Sequence, residues 1–197
     1  MIAADIPEIR LRIETERFGP FEFQLGLDPQ ALLLPMQRVE DALVRFAASP
    51  LAQVANQLER EVIASSIYGT NTIEGGALTE DETLAAMELD PEQVQQIEQR
   101  RVLNIKAAYA RSREAALDPG WTLSVDFMTQ LHGLITRDLP HADNRPGLIR
   151  DNPKGRVTQV GSAQHGGRYK PPQYERDIWR LLEALVDWHA QLAQAGV

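Results

Sequence analysis

A chain of 197 residues can bury one core, or one core and a small appendage, and 43% hydrophobic with 24% charged residues is the balance of a soluble globular protein. The net charge of −8 argues against general nucleic-acid or anionic-membrane binding, and the lack of cysteine excludes disulfides, thiolate nucleophiles and zinc–thiolate sites. No stretch approaches membrane-spanning length and no signal-peptide pattern opens the chain, so a cytoplasmic protein is expected.

Ile9, Leu11 and Ile13 alternate, Gly19-Pro20 interrupts, and Phe21, Phe23 and Leu25 resume the period. This predicts a small β-hairpin with a Gly-Pro turn. Asp28-Pro29 pairs an N-cap with a first-position proline and opens a helix whose stripe is Leu32, Leu33, Met36, Val39, Leu43, Val44 and Phe46. Pro35 would kink that helix or move its start later. Ser49-Pro50 restarts a second helix along Leu51, Val54, Leu58, Val62, Ile63 and Ile67.

That helix runs into Ser65-Ser66-Ile67-Tyr68-Gly69-Thr70-Asn71-Thr72-Ile73-Glu74-Gly75-Gly76, with Ile73 expected inside and Glu74 as the single carboxylate. Gly75-Gly76 can end a helix with positive φ, which leaves Glu74 in its last turn. Composition alone makes Glu74 a solvated glutamate at a helix end.

Thr79-x-x-Glu82 is a capping box for a short helix through Met87. Asp90-Pro91 is expected to open a longer one, with Val94, Ile97, Val102, Ile105 and Tyr109 inward and an end near Asp118-Pro119-Gly120. A further helix, capped by Thr122 or Ser124, carries Phe127, Met128, Leu131 and Ile135 inward. From Asn144 to Pro172 the helical period disappears. Arg156 to Gly161 has strand composition, Gly166-Gly167 can turn, and Arg168 to Lys170 can return as a second strand. The last helix follows Pro171-Pro172, with Ile178, Leu181, Leu182, Leu185, Val186, Trp188 and Leu192 as its stripe.

Charge is uneven. Residues 145 to 170 hold six cations against Asp151, a net +5 that leaves −13 for the rest. Such a patch suits a phosphate-bearing ligand or an acidic partner, or is a solvated loop. The histidines, His132, His141, His165 and His189, have no metal-ligand spacing, and neither a P-loop nor a G-x-G-x-x-G is present.

Three stretches, in order, carry a family resemblance. Thr70-x-x-x-Glu74-Gly75, with Ala64-Ser65-Ser66 before it and Ala77-Leu78-Thr79 after it, resembles the inhibitory helix of Fic-domain proteins, which transfer AMP from ATP to target-protein hydroxyls. Arg145-Pro146-Gly147-Leu148-Ile149-Arg150 with Val157-Thr158-Gln159-Val160-Gly161 is similar to the family's β-hairpin flap. Tyr169-Lys170-Pro171-Pro172 and Leu185-Val186-Asp187-Trp188 resemble the helix after it. The matches run from about Leu32 to Leu192.

The resemblance implies a mainly α, Fic-like helical bundle with a β-hairpin flap and a small N-terminal hairpin. It divides the chain into that hairpin (1–27), an N-terminal module with the inhibitory helix (28–88), and the first part of the core with the flap (89–197). It implies inhibitory roles for Glu74, Thr70 and Gly75, with Thr70 back-bonding to the preceding turn. Val157, Thr158, Gln159, Val160 and Gly161 would position the target and line the nucleotide pocket.

The family signature H-P-F-x-x-G-N-G-R is absent, so the 197 residues are expected to hold no catalytic residue and no metal ligand and to be inactive alone. ATP and magnesium would belong to the full-length enzyme, and the partner would be a target protein with an acceptor hydroxyl. The alternative is a non-catalytic, shortened Fic-like regulatory or interaction module. A chain that stops before the catalytic helix would leave Trp179, Leu182 or Trp188 on an apolar patch and invite a homodimer.

Overall fold

The computed structural model of the chain describes residues 10–26, 29–73, 75–152, 160–161, 167 and 169–195. Among them are one two-stranded antiparallel hairpin and six α-helices, the mainly α class with a small hairpin that the sequence predicts. The chain gathers into two compact units. One takes Met1–Gly26, Thr122–Gln130 and Leu148–Val197; the other takes Leu27–Trp121 and Leu131–Gly147. Ile9, Asp28, Glu74 and Val157 to Gln159 lie outside the described residues.

In the first unit, β1 (Arg10–Glu14) pairs with β2 (Pro20–Gln24) so that Leu11 faces Phe23 and Ile13 faces Phe21. The period-2 alternation therefore sets the register. The turn is longer than the expected Gly-Pro pair. Thr15 closes a loop to Gly19, its N–H and its hydroxyl donating to the Gly19 carbonyl at 3.2 and 2.8 Å. Gly19 takes φ +93°, and Pro20 opens β2 at the ladder's end, where a missing N–H matters least.

The same unit holds α6 (Glu175–Gln194). In its first turn Asp177 is buried and accepts three backbone N–H groups of the hairpin loop. Glu16 donates to Oδ1 at 2.8 Å; Arg17 and Phe18 donate to Oδ2 at 3.1 and 3.0 Å. Rings then stack outward from the loop: Phe18–Phe21 at 5.9 Å, Phe21–Phe23 at 4.9 Å and Phe23–Trp188 at 6.4 Å between centroids. This corrects the expectation of an apolar patch on α6. Phe23 lies against Trp188, which is only 7% exposed, and Trp179 and Leu182 are half-buried.

The second unit begins with α1 (Pro29–Ala47) and α2 (Leu51–Ile73). Pro35 sits inside α1 without ending it, so Pro29 keeps the start. Thr79 caps α3 (Glu80–Met87) through the expected box: the Glu82 N–H donates to the Thr79 hydroxyl at 3.3 Å, and the Thr79 N–H donates back to the Glu82 carboxylate at 2.8 Å. The core joins Ala64 and Ile67 of α2, Ala86 and Met87 of α3, and Val102 and Ile105 of α4, with Ile63, Leu78, Leu84 and Leu89 around it.

Asp90 does not open α4. It caps only the 3₁₀ turn Pro91–Gln93, and the backbone is extended again at Val94 and Gln96. A second cap takes over, in which Gln99 reaches back to the N–H groups of Gln95 and Gln96 at 3.3 Å, so α4 is Ile97–Ala116. Helix α5 is Val125–Thr136, with the Ser124 hydroxyl accepting the Phe127 N–H at 3.1 Å. Ile97, Tyr109 and Ile135, all expected inward, are exposed.

The largest departure concerns α1. Met36, Val39, Leu43, Val44 and Phe46 are 45–71% exposed, and Leu51, Val54 and Val62 of α2 are exposed as well. The spacing identifies the helices, but among the described residues of α2 it is Ala64 and Ile67, with Ile63 beside them, that join α3 and α4 in the core. Periodicity fixes which residues share a face and leaves open what covers it.

Candidate functional site

The Thr70–Gly76 segment is built by the way α2 ends. The Thr70 hydroxyl donates to the Ser66 carbonyl at 2.9 Å and the Thr72 hydroxyl to the Tyr68 carbonyl at 2.9 Å, each bond reaching back one turn. Gly75 adopts φ +80°, its N–H donating to Thr72 O at 3.0 Å, and the Gly76 N–H donates to Asn71 O at 2.7 Å. These two bonds form a Schellman motif, which satisfies carbonyls that a bare helix end would leave unpaired. Only Gly75 carries the positive φ; Gly76 does not. Ile73, expected inside, is 84% exposed.

Asn71 was not singled out by the sequence. Its side chain is 0% exposed, and neither its Oδ1 nor its Nδ2 has a hydrogen-bond partner. It lies so close to the Gly76 backbone that a Cβ there would overlap it. The only signal was its place in a run of small polar residues on the core side of α2.

The second group of predicted residues lies in the loop that leads into α6. Its base is tied by the Asn152 N–H to Gln173 O at 2.8 Å and by Arg150 Nε to Pro172 O at 3.0 Å. Further along, Val160 and Tyr169 exchange both N–H···O bonds at 2.8 Å, an antiparallel bridge. Gly161 follows at φ +88°, and a Cβ on it would stand 2.8 Å from Gly167 O. Glycine is therefore required at 161 on two counts. Val160 and Tyr169 are both exposed. Partial burial nevertheless pushes the Tyr169 phenol up, with Arg150 pulling it the other way.

Of the basic stretch, Arg145 turns one nitrogen to the carbonyls of Ala142 and Asn144 at 3.2 and 2.9 Å, and Arg150 holds the loop base. These two arginines act on backbone in this structure. Among the described residues no group of three or more histidine, aspartate or glutamate side chains could hold a metal ion. Among them, too, no helix is long and apolar enough to cross a membrane.

Thr70 and Gly75 thus stand at one helix end, and Val160 and Gly161 at one isolated antiparallel bridge; Glu74, Val157, Thr158 and Gln159 lie outside the described residues. No protein-family model, curated protein or solved structure matches the chain.

Proposed function

We propose that the chain is the N-terminal, self-inhibiting portion of a Fic-type protein adenylyltransferase. The catalytic histidine and the anion-binding loop would be supplied by residues outside these 197. The reading rests on the family resemblance, and the observation that supports it best is the Val160–Tyr169 bridge. It is an antiparallel pair at the point where the resemblance requires a hairpin, with the base tied at Asn152–Gln173.

In this reading the Glu74 carboxylate pairs with the second arginine of the catalytic motif. That arginine is the group that would otherwise bind the γ-phosphate of ATP, so the pair keeps the nucleotide from seating productively. The Thr70 back-bond and the positive φ of Gly75 flank position 74 in the sequence, where α2 ends. The hairpin edge at Val160 pairs with an extended segment of the target and sets its hydroxyl in register.

The test joins these residues to a segment bearing the catalytic motif and follows transfer of labelled AMP from ATP to added protein. Glu74→Gly should raise labelling; no gain sinks the inhibitory role. A second reading, a non-catalytic interaction module, is favoured by the exposed apolar residues of α1, and it expects no labelling with either residue at position 74.

A further inference from the structure

Two glycines follow position 74, and the structure requires them for different reasons. Gly75 takes φ +80°, a backbone conformation that favours glycine. Gly76 has no positive φ, and what bars a side chain there is Asn71. The Asn71 Cγ, Oδ1 and Nδ2 lie about equally near the place a Gly76 Cβ would take, so the carboxamide turns its flat face to that backbone. The Asn71 side chain is fully buried with both polar atoms unpaired, although Thr70 and Thr72 beside it each reach a carbonyl. A buried amide without partners is a cost to the fold, so its presence here calls for a reason other than stability.

We propose that Asn71 and Gly76 are positioning residues for the inhibitory carboxylate at position 74, an inference that rests on the adenylyltransferase reading above. Helix α2 ends at Ile73, and the chain is caught again by the Gly75 N–H on Thr72 O at 3.0 Å and the Gly76 N–H on Asn71 O at 2.7 Å. Asn71 therefore meets Gly76 twice, through its carbonyl and through its side chain, and closes the turn within which position 74 falls in sequence. A paired carboxylate and arginine are directional, and such a constellation works only when held within about 0.5 Å of its place. The Asn71–Gly76 contact limits how far the chain can shift at the end of α2. It thereby sets how firmly the arginine is kept from the γ-phosphate.

In the joined enzyme, Gly76→Ala should raise AMP labelling on the order of tenfold, at unchanged helical circular dichroism. Adding Asn71→Ala should bring labelling back down, because the methyl then takes the space the carboxamide leaves. In a Glu74→Gly background, Gly76→Ala should add no further gain. Lost stability alone would lower labelling in both backgrounds, so a gain that needs Glu74 separates positioning from a structural role. A gain from Glu74→Gly with none from Gly76→Ala overturns this inference and leaves the inhibitory role of Glu74 standing. A Gly76→Ala gain that persists in the Glu74→Gly background overturns it as well. No gain from Glu74→Gly overturns both. If Gly76→Ala unfolds the helix end, Asn71→Ala alone decides: it adds no atoms and should also raise labelling, and unchanged labelling overturns the proposal.

Discussion

The buried carboxamide of Asn71 lies against the backbone of Gly76, whose N–H donates to Asn71 O at 2.7 Å while both side-chain atoms of Asn71 remain unpaired. A desolvated amide without partners costs about 1–3 kcal/mol. Asn71→Leu removes both polar atoms at similar volume, and the urea midpoint should rise by the equivalent of about 1 kcal/mol. A loss of that size would mean that the amide is satisfied in solution. Gly76→Ala should cost about 1–3 kcal/mol, because the new methyl needs the space Asn71 fills. In a double-mutant cycle, Asn71→Ala should recover most of that loss, since the two changes share one contact.

Asp177 takes the N–H groups of Glu16, Arg17 and Phe18 onto one buried carboxylate. Bonds to a charged acceptor are the stronger class, and removing the acceptor leaves three donors without it. Asp177→Ala should therefore destabilise the hairpin–α6 contact by about 3 kcal/mol. Trp188 emission should report the loss, because Phe23 packs on that indole. Unchanged emission and an unchanged urea midpoint would remove the carboxylate from the account of how the hairpin is held.

The Thr79–Glu82 box ties α3 to pH. The Glu82 carboxyl is held below its usual range, first by the backbone N–H of Thr79 and then by the Thr79 hydroxyl. A lowered folded value means that the unfolded chain takes up the proton first. The contribution is therefore complete above the unfolded value of about 4.3 and is lost as pH falls through the lowered one. Glu82→Gln should flatten the acid side of the stability–pH curve and leave its neutral side nearly level. Thr79→Ala should cost about 1 kcal/mol at neutral pH. An acid limb that persists in Glu82→Gln would assign it to other carboxylates.

Elements with a local physical cause were legible in the sequence. Alternation gave the two strands of the hairpin, though the Gly-Pro turn it suggested is not the one that sets the Leu11–Phe23 register; Thr79 and Glu82 gave the α3 cap, and Gly75 gave the helix end, because each depends on neighbours a few residues away. The errors share a different cause. Asp90-Pro91 reads as a helix start, yet the Gln96–Gln99 box a few residues later competes with it and wins. Ile73 and the α1 stripe read as core because apolar spacing cannot say which partner is present, and both are exposed. Asn71 was invisible for the same reason. Its burial accompanies the return of the chain at Gly76, whose backbone lies against the carboxamide, and no spacing rule anticipates that return. At the candidate flap the sequence supplied strand composition, whereas the pairing of Val160 with Tyr169 needs a fold to bring them opposite.

That pairing can be tested locally. Gly161 sits at φ +88° with the Gly167 carbonyl where a Cβ would go, 2.8 Å away. Alanine there meets both left-handed backbone strain and a close oxygen, a combined cost of about 1–3 kcal/mol confined to the loop. Gly161→Ala should open the bridge and leave α6 folded, because the Asp177 bonds and the Arg150–Pro172 anchor lie outside the substituted turn. Hydrogen exchange separates the two regions residue by residue. The Val160 and Tyr169 amides, which bond each other's carbonyls at 2.8 Å, should lose protection while the Leu181 amide keeps it. In the joined enzyme the same substitution should lower target labelling with Gly at position 74, since an opened edge cannot register an extended segment. Protection retained at Val160 would show that the bridge tolerates a side chain at 161. Labelling retained after protection is lost would separate the bridge from target binding.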